Sequence, residues 1–123
     1  VKITLLSDER IRLDGRAGPL SVEAESAEMQ YSPFHMLASS LATCTYSVLA
    51  SWGTHARLPI DDLAIVVGWT FAEDPHRVGS IDMDVIWPSL PQERRNAAMR
   101  AAGLCTVTKT LETPPRVAVE VKA

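Results

Sequence analysis

Residues 31–52 read YSPFHMLASSLATCTYSVLASW, and the rest of the sequence is arranged around this uncharged stretch. No Asp, Glu, Lys or Arg occurs between Glu28 and Arg57, although 22% of the whole chain is charged. Pro33 is typical of the first turn of a helix and Gly53 of its end. Apolar residues at steps of three and four predict a helix between them: Leu37, Leu41, Cys44 or Thr45, Val48 and Trp52.

The predicted helix has no charged face, which is typical of a helix that is buried on all sides. A membrane span would need roughly 20 apolar residues. This stretch is long enough, but Ser and Thr dilute it and no basic cluster flanks it, so we expect no membrane span. One small sheet cannot cover such a helix on every side. A second copy of the chain, in a symmetric homodimer, is predicted to complete the cover.

Composition narrows the class of protein. A chain of 123 residues with 46% hydrophobic residues is expected to form one domain over residues 1–123. The net charge of -3 and the lack of a basic patch argue against a nucleic-acid partner. The first residues enter a strand-like pattern directly, which is not typical of a signal peptide. Two cysteines are too few for a secreted disulfide scaffold, so a cytoplasmic protein is expected.

Alternation of apolar and polar residues predicts strands at residues 1–7, 11–13, 20–24, 63–71, 81–87 and 117–121. The first three are expected to form an antiparallel meander, and the next two a hairpin that turns at residues 74–77. A second helix is predicted over residues 92–102, ended by Gly103, and a short third helix after Cys105. This order predicts an α+β fold with helices packed on an antiparallel sheet.

The two cysteines, Cys44 and Cys105, fall on different predicted helical elements. The neighbours of Cys44 on its own helix carry no charge, and a merely buried cysteine is an inert core residue. A reactive Cys44 would need a cation from the N-terminal strands, which offer Arg10, Arg12 and Arg16. Cys105 opens a helical turn, where free backbone N–H groups favour a thiolate. Both the inert and the reactive interpretation stay open at this point.

The histidines give no metal site. His35 lies nine residues before Cys44, on the opposite side of a straight helix and roughly 13 Å along its axis. It could act on the site of another subunit, or it could cap the helix start. The other two, His55 and His76, have no companion at zinc-ligand spacing, and no glycine-rich phosphate loop occurs. We therefore expect neither a metal nor a cofactor.

Several motifs together resemble the OsmC/Ohr family of osmotically inducible and organic-hydroperoxide-resistance proteins. They are Pro33 at the helix start, LASSLATC at residues 37–44 and CTVTKTLETPP at residues 105–115. The resemblance extends over nearly the whole chain. It implies antiparallel sheets wrapped around long central helices in an intertwined homodimer, with two active sites at the interface. It also implies a thiol peroxidase that reduces organic hydroperoxides in oxidative-stress defence.

The resemblance also implies roles for individual residues. Cys44 would be the peroxidatic thiolate and would be oxidised to a sulfenic acid, and Cys105 would resolve it as a Cys44–Cys105 disulfide. Arg10, with Arg12 as a rival, would correspond to the activating arginine. A dithiol such as a lipoylated protein would be the reductant, and no metal or flavin would be needed.

Two positions depart from the family pattern. Peroxidase members carry a Glu one or two residues after the helix-start proline, paired with the arginine, and here Phe34 and His35 stand there. We predict that these two residues line the substrate site. Thr108 stands where the second motif usually has His. The departures leave a second hypothesis open, in which the domain is non-catalytic and binds a small apolar ligand at the dimer interface.

Overall fold

The computed structural model describes residues 1–123. The elements are β1 (Lys2–Ser7), β2 (Arg10–Asp14), β3 (Ser21–Ala24), α1 (Pro33–His55), β4 (Ala64–Ala72), β5 (Arg77–Ile86), α2 (Arg95–Ala102) and α3 (Thr106–Glu112). One turn of 3-10 helix, Gln92–Arg94, leads into α2. The strands form a single sheet in the order β3-β1-β2-β4-β5, α1 packs on β2 and β4, and α2 and α3 pack on α1. The predicted α+β class is confirmed.

The long helix α1 begins where the sequence predicts and ends later. Ser32 is its N-cap and Pro33 occupies the first turn. The helix continues past Gly53 to His55, so the prediction that Gly53 ends it was wrong. A Cβ at Gly53 would lie 2.9 Å from the Trp87 ring and 3.0 Å from Ile60. This glycine is therefore needed for close packing inside the helix, which a sequence pattern does not distinguish from a helix end.

The core lies between α1 and one face of the sheet. Alternate residues of the strands supply it, as the period of two requires. Its fully or almost fully buried members include Ile3, Leu5, Ile11, Leu13, Ile65, Val67 and Trp69 from the sheet and Ala38, Leu41, Ala42 and Leu49 from α1. Because Ile11 and Leu13 face the helix, Arg10 and Arg12 on the same strand face away from it.

Strand pairing agrees with the prediction except at β3. β1 and β2 are antiparallel, with Ile3 opposite Leu13, and β4 and β5 form the predicted hairpin through a cis Asp74–Pro75 peptide. β3 does not continue a meander, because it pairs parallel with β1. The edge of β2 that a meander would use is taken by β4, whose Ile65 and Val67 are completely buried. β3 is left with the free edge of β1, and the chain reaches that edge in the parallel direction.

The predicted C-terminal strand is also absent from this chain. Residues 113–123 form neither helix nor strand, and Val117, Val119 and Val121 are 82%, 87% and 92% exposed. The alternating valines have the composition of a strand, but a strand also needs a neighbouring edge for its backbone hydrogen bonds. No edge of this chain's own sheet pairs with them.

Within one chain α1 is not covered on all sides, which agrees with the prediction that one small sheet cannot cover this helix. An uncharged stripe stays exposed along it, consisting of Met36, Ser40, Thr43, Ser47 and Ser51. These positions recur at steps of three and four and so form one continuous face. We call this face the α1 stripe. None of the helices combines the length and the apolar character needed to cross a membrane.

Candidate active site

The two cysteines are brought together by the packing of α3 on the middle of α1. A tight turn ends α2, where the N–H of Leu104 bonds the carbonyl of Ala101 at 3.0 Å, and Cys105 follows as the N-cap residue of α3. The side chain of Cys44 lies close enough to that of Cys105 to lower the pKa of the Cys105 thiol. Both are free thiols, Cys44 being half-buried and Cys105 completely buried. The structure thus juxtaposes the two residues that the sequence singled out.

The surroundings of Cys105 favour its charged form. Burial raises the pKa of this thiol, but hydrogen bonds from Cys44, from the backbone and hydroxyl of Thr108 and from Thr45 outweigh burial and lower the pKa from 9.0 to about 7. No charged side chain is among these causes. Dipoles and hydrogen-bond donors alone therefore stabilise a thiolate here.

The hydroxyl groups of Thr45 and Thr108 are buried and have no hydrogen-bond partner. This is unusual, because most threonines in helices bond a carbonyl or water. Thr45 is 0% exposed, on the turn of α1 that carries Cys44. Both hydroxyls are among the groups that lower the pKa of Cys105.

An apolar groove of about 820 Å³ runs between α1, β5 and α3. Its walls include Phe34, Leu37 and Leu41 from α1, Val78, Ile81 and Met83 from β5, and Thr108 and Leu111 from α3. His76 and Arg77 stand at its border. Neither cysteine is part of these walls, but Thr108 is also among the groups that lower the pKa of Cys105, so the groove passes close to this thiol. An apolar molecule of moderate size fits a space of this kind.

Phe34 and His35, predicted together to line the site, have different positions. Phe34 is 36% exposed, lines the groove and packs edge-on against Phe71 with ring centroids 4.9 Å apart. His35 is 1% exposed, and both of its ring nitrogens are engaged. Nε2 bonds the carbonyl of Ser7 at 2.8 Å, and Nδ1 accepts the backbone N–H of Ser32 at 3.0 Å.

These bonds make His35 part of the N-terminal cap of α1. The Ser32 hydroxyl accepts the backbone N–H of His35 while the imidazole accepts that of Ser32, which is a reciprocal capping box. A carbonyl can only accept, so the ring carries its proton on Nε2. Its capping role is the alternative that the sequence left open. No free polar atom of His35 reaches the groove, in contrast to the expectation that it contacts substrate.

Arg10 is not brought to the cysteines within one chain. It is exposed at the start of β2, on the face of the sheet opposite to α1. Its rival Arg12 faces the same way and forms an ion pair with Asp14 at 3.0 Å. A contribution of Arg10 to the thiol pair would therefore have to come from a second copy of the chain.

Thr45 and the β5 wall of the groove are parts of the site that sequence reasoning missed. Thr45 was noted only as a helix position, and Thr108 only as a replacement for histidine. A threonine inside an apolar helix face is a weak signal, because threonines also satisfy themselves by bonding the preceding turn. The half-buried alternation of β5 predicts its inward face, but not that part of that face would stay uncovered.

The comparisons with known proteins agree with this architecture. The sequence matches the OsmC family, described as OsmC-like protein, over residues 23–120. No curated protein matches it. The fold is similar to that of an osmotic stress induced and detoxification response protein from Psychrobacter arcticus 273-4, with a TM-score of 0.62 and 20% identity over 88% of this chain and 84% of the other.

A second solved structure has the same fold. It is an OsmC-like hydroperoxide resistance protein from Jannaschia sp. CCS1, with a TM-score of 0.57 and 22% identity over 80% of this chain and 71% of the other. At these identities the likeness establishes the fold alone. The sequence match, in contrast, covers most of the chain and includes both cysteines. The protein therefore belongs to the OsmC-like family.

Proposed function

We propose that this protein is a thiol-dependent peroxidase that reduces organic hydroperoxides, with Cys44 and Cys105 as its redox pair. The observation that carries the proposal is the proximity of the two thiols to each other and to Thr108, which lines an apolar groove. Membership of a family with a hydroperoxide resistance protein among its structural relatives supports it. The proposed setting is oxidative-stress defence in a reducing compartment such as the cytoplasm.

Cys44 is the proposed site of attack because it is the more accessible thiol. Its thiolate attacks the terminal oxygen of the hydroperoxide, the O–O bond breaks, and the products are a Cys44 sulfenic acid and an alcohol. Cys105 then attacks the Cys44 sulfur, which closes a disulfide and releases water. A dithiol, of the lipoyl type by analogy with the family, reduces the disulfide by exchange. No metal or organic cofactor takes part.

The groove supplies the proposed binding surface for the organic part of the substrate. Phe34, Leu37 and Leu41 offer it an apolar wall within the first three turns of α1. Burying an apolar chain there contributes roughly 25 cal/mol per Å² of area removed from water. Water and hydrogen peroxide lack such a chain, so the groove favours organic hydroperoxides over hydrogen peroxide.

The proposed working form is a homodimer. The uncharged α1 stripe and the three exposed valines of residues 117–121 leave apolar and small polar surface open in a single chain. A second copy would cover the stripe and could bring its Arg10 towards the cysteine pair. Arg10 is kept in the proposal on this condition, because its own chain directs it away from Cys44.

A second candidate function is binding without catalysis. Phe34 stands where the family resemblance calls for a carboxylate, and Arg10 lies far from the thiols of its own chain. In that case the groove would hold a small apolar ligand and the cysteines would only contribute to packing. Saturable binding that survives replacement of both cysteines by serine would favour this candidate.

The test is consumption of cumene hydroperoxide with dihydrolipoamide as the reductant. Wild type is expected to turn over, Cys44→Ser to lose turnover completely, and Thr43→Ser to behave as wild type. Thr43 is a suitable control because it is the exposed neighbour of Cys44 on the same helix. Unchanged peroxide consumption by Cys44→Ser would refute the proposal.

A further inference from the structure

We propose that residues 116–122 of one chain add as a strand to the free edge of β5 in a second copy of the chain. The added strand lengthens the five-stranded sheet by one strand that comes from the partner. The inference rests on the homodimer proposed above and deepens it, because it names the segment and the sheet edge that join the two copies. It does not depend on peroxidase activity.

Residues 116–122 have the properties of a strand that lacks a sheet. Val117, Val119 and Val121 alternate with polar or small residues, and valine is a strong strand former. These valines are 82%, 87% and 92% exposed. The backbone of residues 114–123 makes no backbone hydrogen bond within the chain. Alternating valines on an unpaired backbone are suited to pair with a sheet edge of another chain.

Of the two free edges of the sheet, β5 fits this segment better than β3. The outermost strands are β3 and β5, and each pairs on one side only. β3 has four residues, whereas β5 has ten and can pair along the whole segment. Ile81, Met83 and Val85 of β5 lie on the face of the sheet that packs on α1, and none of them is fully buried. Valines on the same face would extend this apolar row.

A second apolar groove, of about 470 Å³, lies beside the edge of β5. Met83, Val85 and Trp87 form one side of this groove, and Leu49 of α1 and residues of α2 form the rest. A strand added to β5 runs about 4.8 Å from it, so its inward side chains lie over this groove. Eight of the ten lining residues are hydrophobic, which suits valine side chains and not charged ones.

The polar side of the added strand meets unpaired acidic groups. With the valines on the α1 side of the sheet, Arg116 and Lys122 project to the opposite side, where Asp82 and Asp84 of β5 stand. Neither aspartate forms an ion pair within its own chain. Glu120 reduces the positive charge of the segment but does not cancel it. The charges therefore favour β5, in addition to the apolar contacts.

Two consecutive prolines favour pairing with a second copy over pairing with the same chain. α3 ends at Glu112, which lies near β5 because both line the groove of the candidate site. Pairing within one chain would need a reversal directly after this residue. Pro114 and Pro115 instead favour an extended, stiff backbone and disfavour a tight turn. The segment is therefore directed away from its own sheet.

The added strand would also border the candidate active site. Val78, Ile81 and Met83 of β5 line the groove of about 820 Å³ described above. A strand on the free edge of β5 is the next wall of that groove. The substrate groove of one chain is thus completed by the valine side chains of the other.

Hydrogen exchange of the β5 amides tests the pairing. In wild type, the amides that point away from β4 should exchange roughly a hundredfold more slowly than in the double variant Ala118→Pro/Val119→Pro. Neighbouring strand residues direct their N–H groups to opposite sides, so the two prolines remove a donor whichever side faces β5. The control Ala118→Thr/Val119→Thr keeps both donors and should exchange like wild type. The β3 amides should not differ among the three proteins.

Photochemical cross-linking tests whether the strand comes from the other copy. Isotope-labelled and unlabelled chains, each with a diazirine analogue of leucine in place of Val119, are unfolded, mixed and refolded together. Photolysis should join residue 119 of a labelled chain to a β5 peptide of an unlabelled one, and the reverse.

Three results would overturn the inference: β5 amides that exchange equally in the proline and threonine variants, cross-links between like-labelled peptides only, and cross-links to β3. If light scattering shows a dimer in any of these cases, the homodimer stands without this strand pairing. Because no peroxide is present, failure of the peroxidase proposal leaves both measurements unaffected.

Discussion

The side chain of Cys44, in the middle of α1, lies close enough to that of Cys105, the residue before α3, to lower the pKa of the Cys105 thiol. One sulfur is reachable from outside and the other is completely buried among donors. Two neighbouring thiols are the pair that the proposed peroxidase cycle oxidises to a disulfide. Their proximity depends on how α3 packs on α1, so substitutions that disturb that packing should prevent the disulfide.

Loss of Cys105 should prevent the resolution of oxidised Cys44. In Cys105→Ser no second thiol can condense with the Cys44 sulfenic acid, so this acid should accumulate and be trapped with dimedone after one equivalent of cumene hydroperoxide. The wild-type protein should instead form the disulfide and give little trapped product. Equal trapping in the variant and in wild type would exclude Cys105 as the resolving thiol.

The free energy of unfolding should depend on pH through Cys105. Its pKa is lowered from 9.0 to about 7 in the folded protein, so between these values the unfolded chain binds the extra proton. Stability from this group is therefore complete above pH 9.0, grows as pH rises from about 7, and is absent at lower pH. Compared with Cys105→Ser, wild type should gain roughly 1–3 kcal/mol between those limits, measured by urea unfolding under reducing conditions. If the difference in the free energy of unfolding between the two proteins does not change with pH, the pKa of Cys105 is not lowered by folding.

Gly53→Ala should destabilise the protein although alanine is the better helix former. The added methyl would lie 2.9 Å from Trp87, whose indole is fixed by a hydrogen bond of 2.9 Å to Pro59. The overpacking should outweigh the gain in propensity of about 1 kcal/mol and leave a net loss of about 1–2 kcal/mol.

Gly103→Ala is the matched control for that substitution. The nearest atom to a Cβ there is 3.4 Å away and the backbone is helical, so this change should be neutral or stabilise by about 0.5 kcal/mol. Urea unfolding of both variants measures the contrast. Equal effects at the two glycines would show that the space beside Trp87 is not limiting.

The cap of α1 should depend more on His35 than on Ser32. Ser32→Ala removes one capping bond and should cost about 1 kcal/mol. His35→Ala leaves the Ser7 carbonyl and the Ser32 N–H without partners and opens space beside Trp69, so about 2–4 kcal/mol is expected. Urea unfolding again measures both. A smaller loss for His35→Ala than for Ser32→Ala would refute the structural role given to this histidine.

A charge on the α1 stripe should break the proposed dimer. Thr43→Arg and Ser47→Arg place cations on an exposed, uncharged face, where burial against a second copy would be costly. Light scattering after size-exclusion chromatography should show a dimer for wild type and a monomer for these variants. Asn96→Arg, on the exposed side of α2, is the control and should stay dimeric. A dimer that survives both stripe variants would exclude this face as the interface.

Features set by local chemistry could be predicted from the sequence. The uncharged run with Pro33 predicts α1 and its start, and alternation predicts the β4–β5 hairpin. Features that depend on distant partners could not be predicted in this way. β3 pairs with the free edge of β1, because β4 pairs with the edge of β2 that a meander would use. Residues 117–121 pair with no strand of their own chain.

In the candidate site, too, local motifs could be recognised in the sequence, whereas contacts between distant elements could not. The two cysteines stand out by their motifs, and the family resemblance implies that they act together. The burial of Cys105, the two unpartnered hydroxyls and the orientation of Arg10 depend on how α1, α3 and the sheet pack. His35 illustrates the difficulty most clearly, because a histidine beside a predicted active site is also a suitable partner for the Ser32 cap.

The most direct test of the central claim is the intact mass and free-thiol count of the reduced protein before and after one equivalent of cumene hydroperoxide. A Cys44–Cys105 redox pair predicts that the mass falls by two hydrogens, that both thiols disappear and that the peroxide is consumed in the same proportion. Two remaining thiols, an unchanged mass and untouched peroxide would contradict the claim and leave an OsmC-like fold without its chemistry.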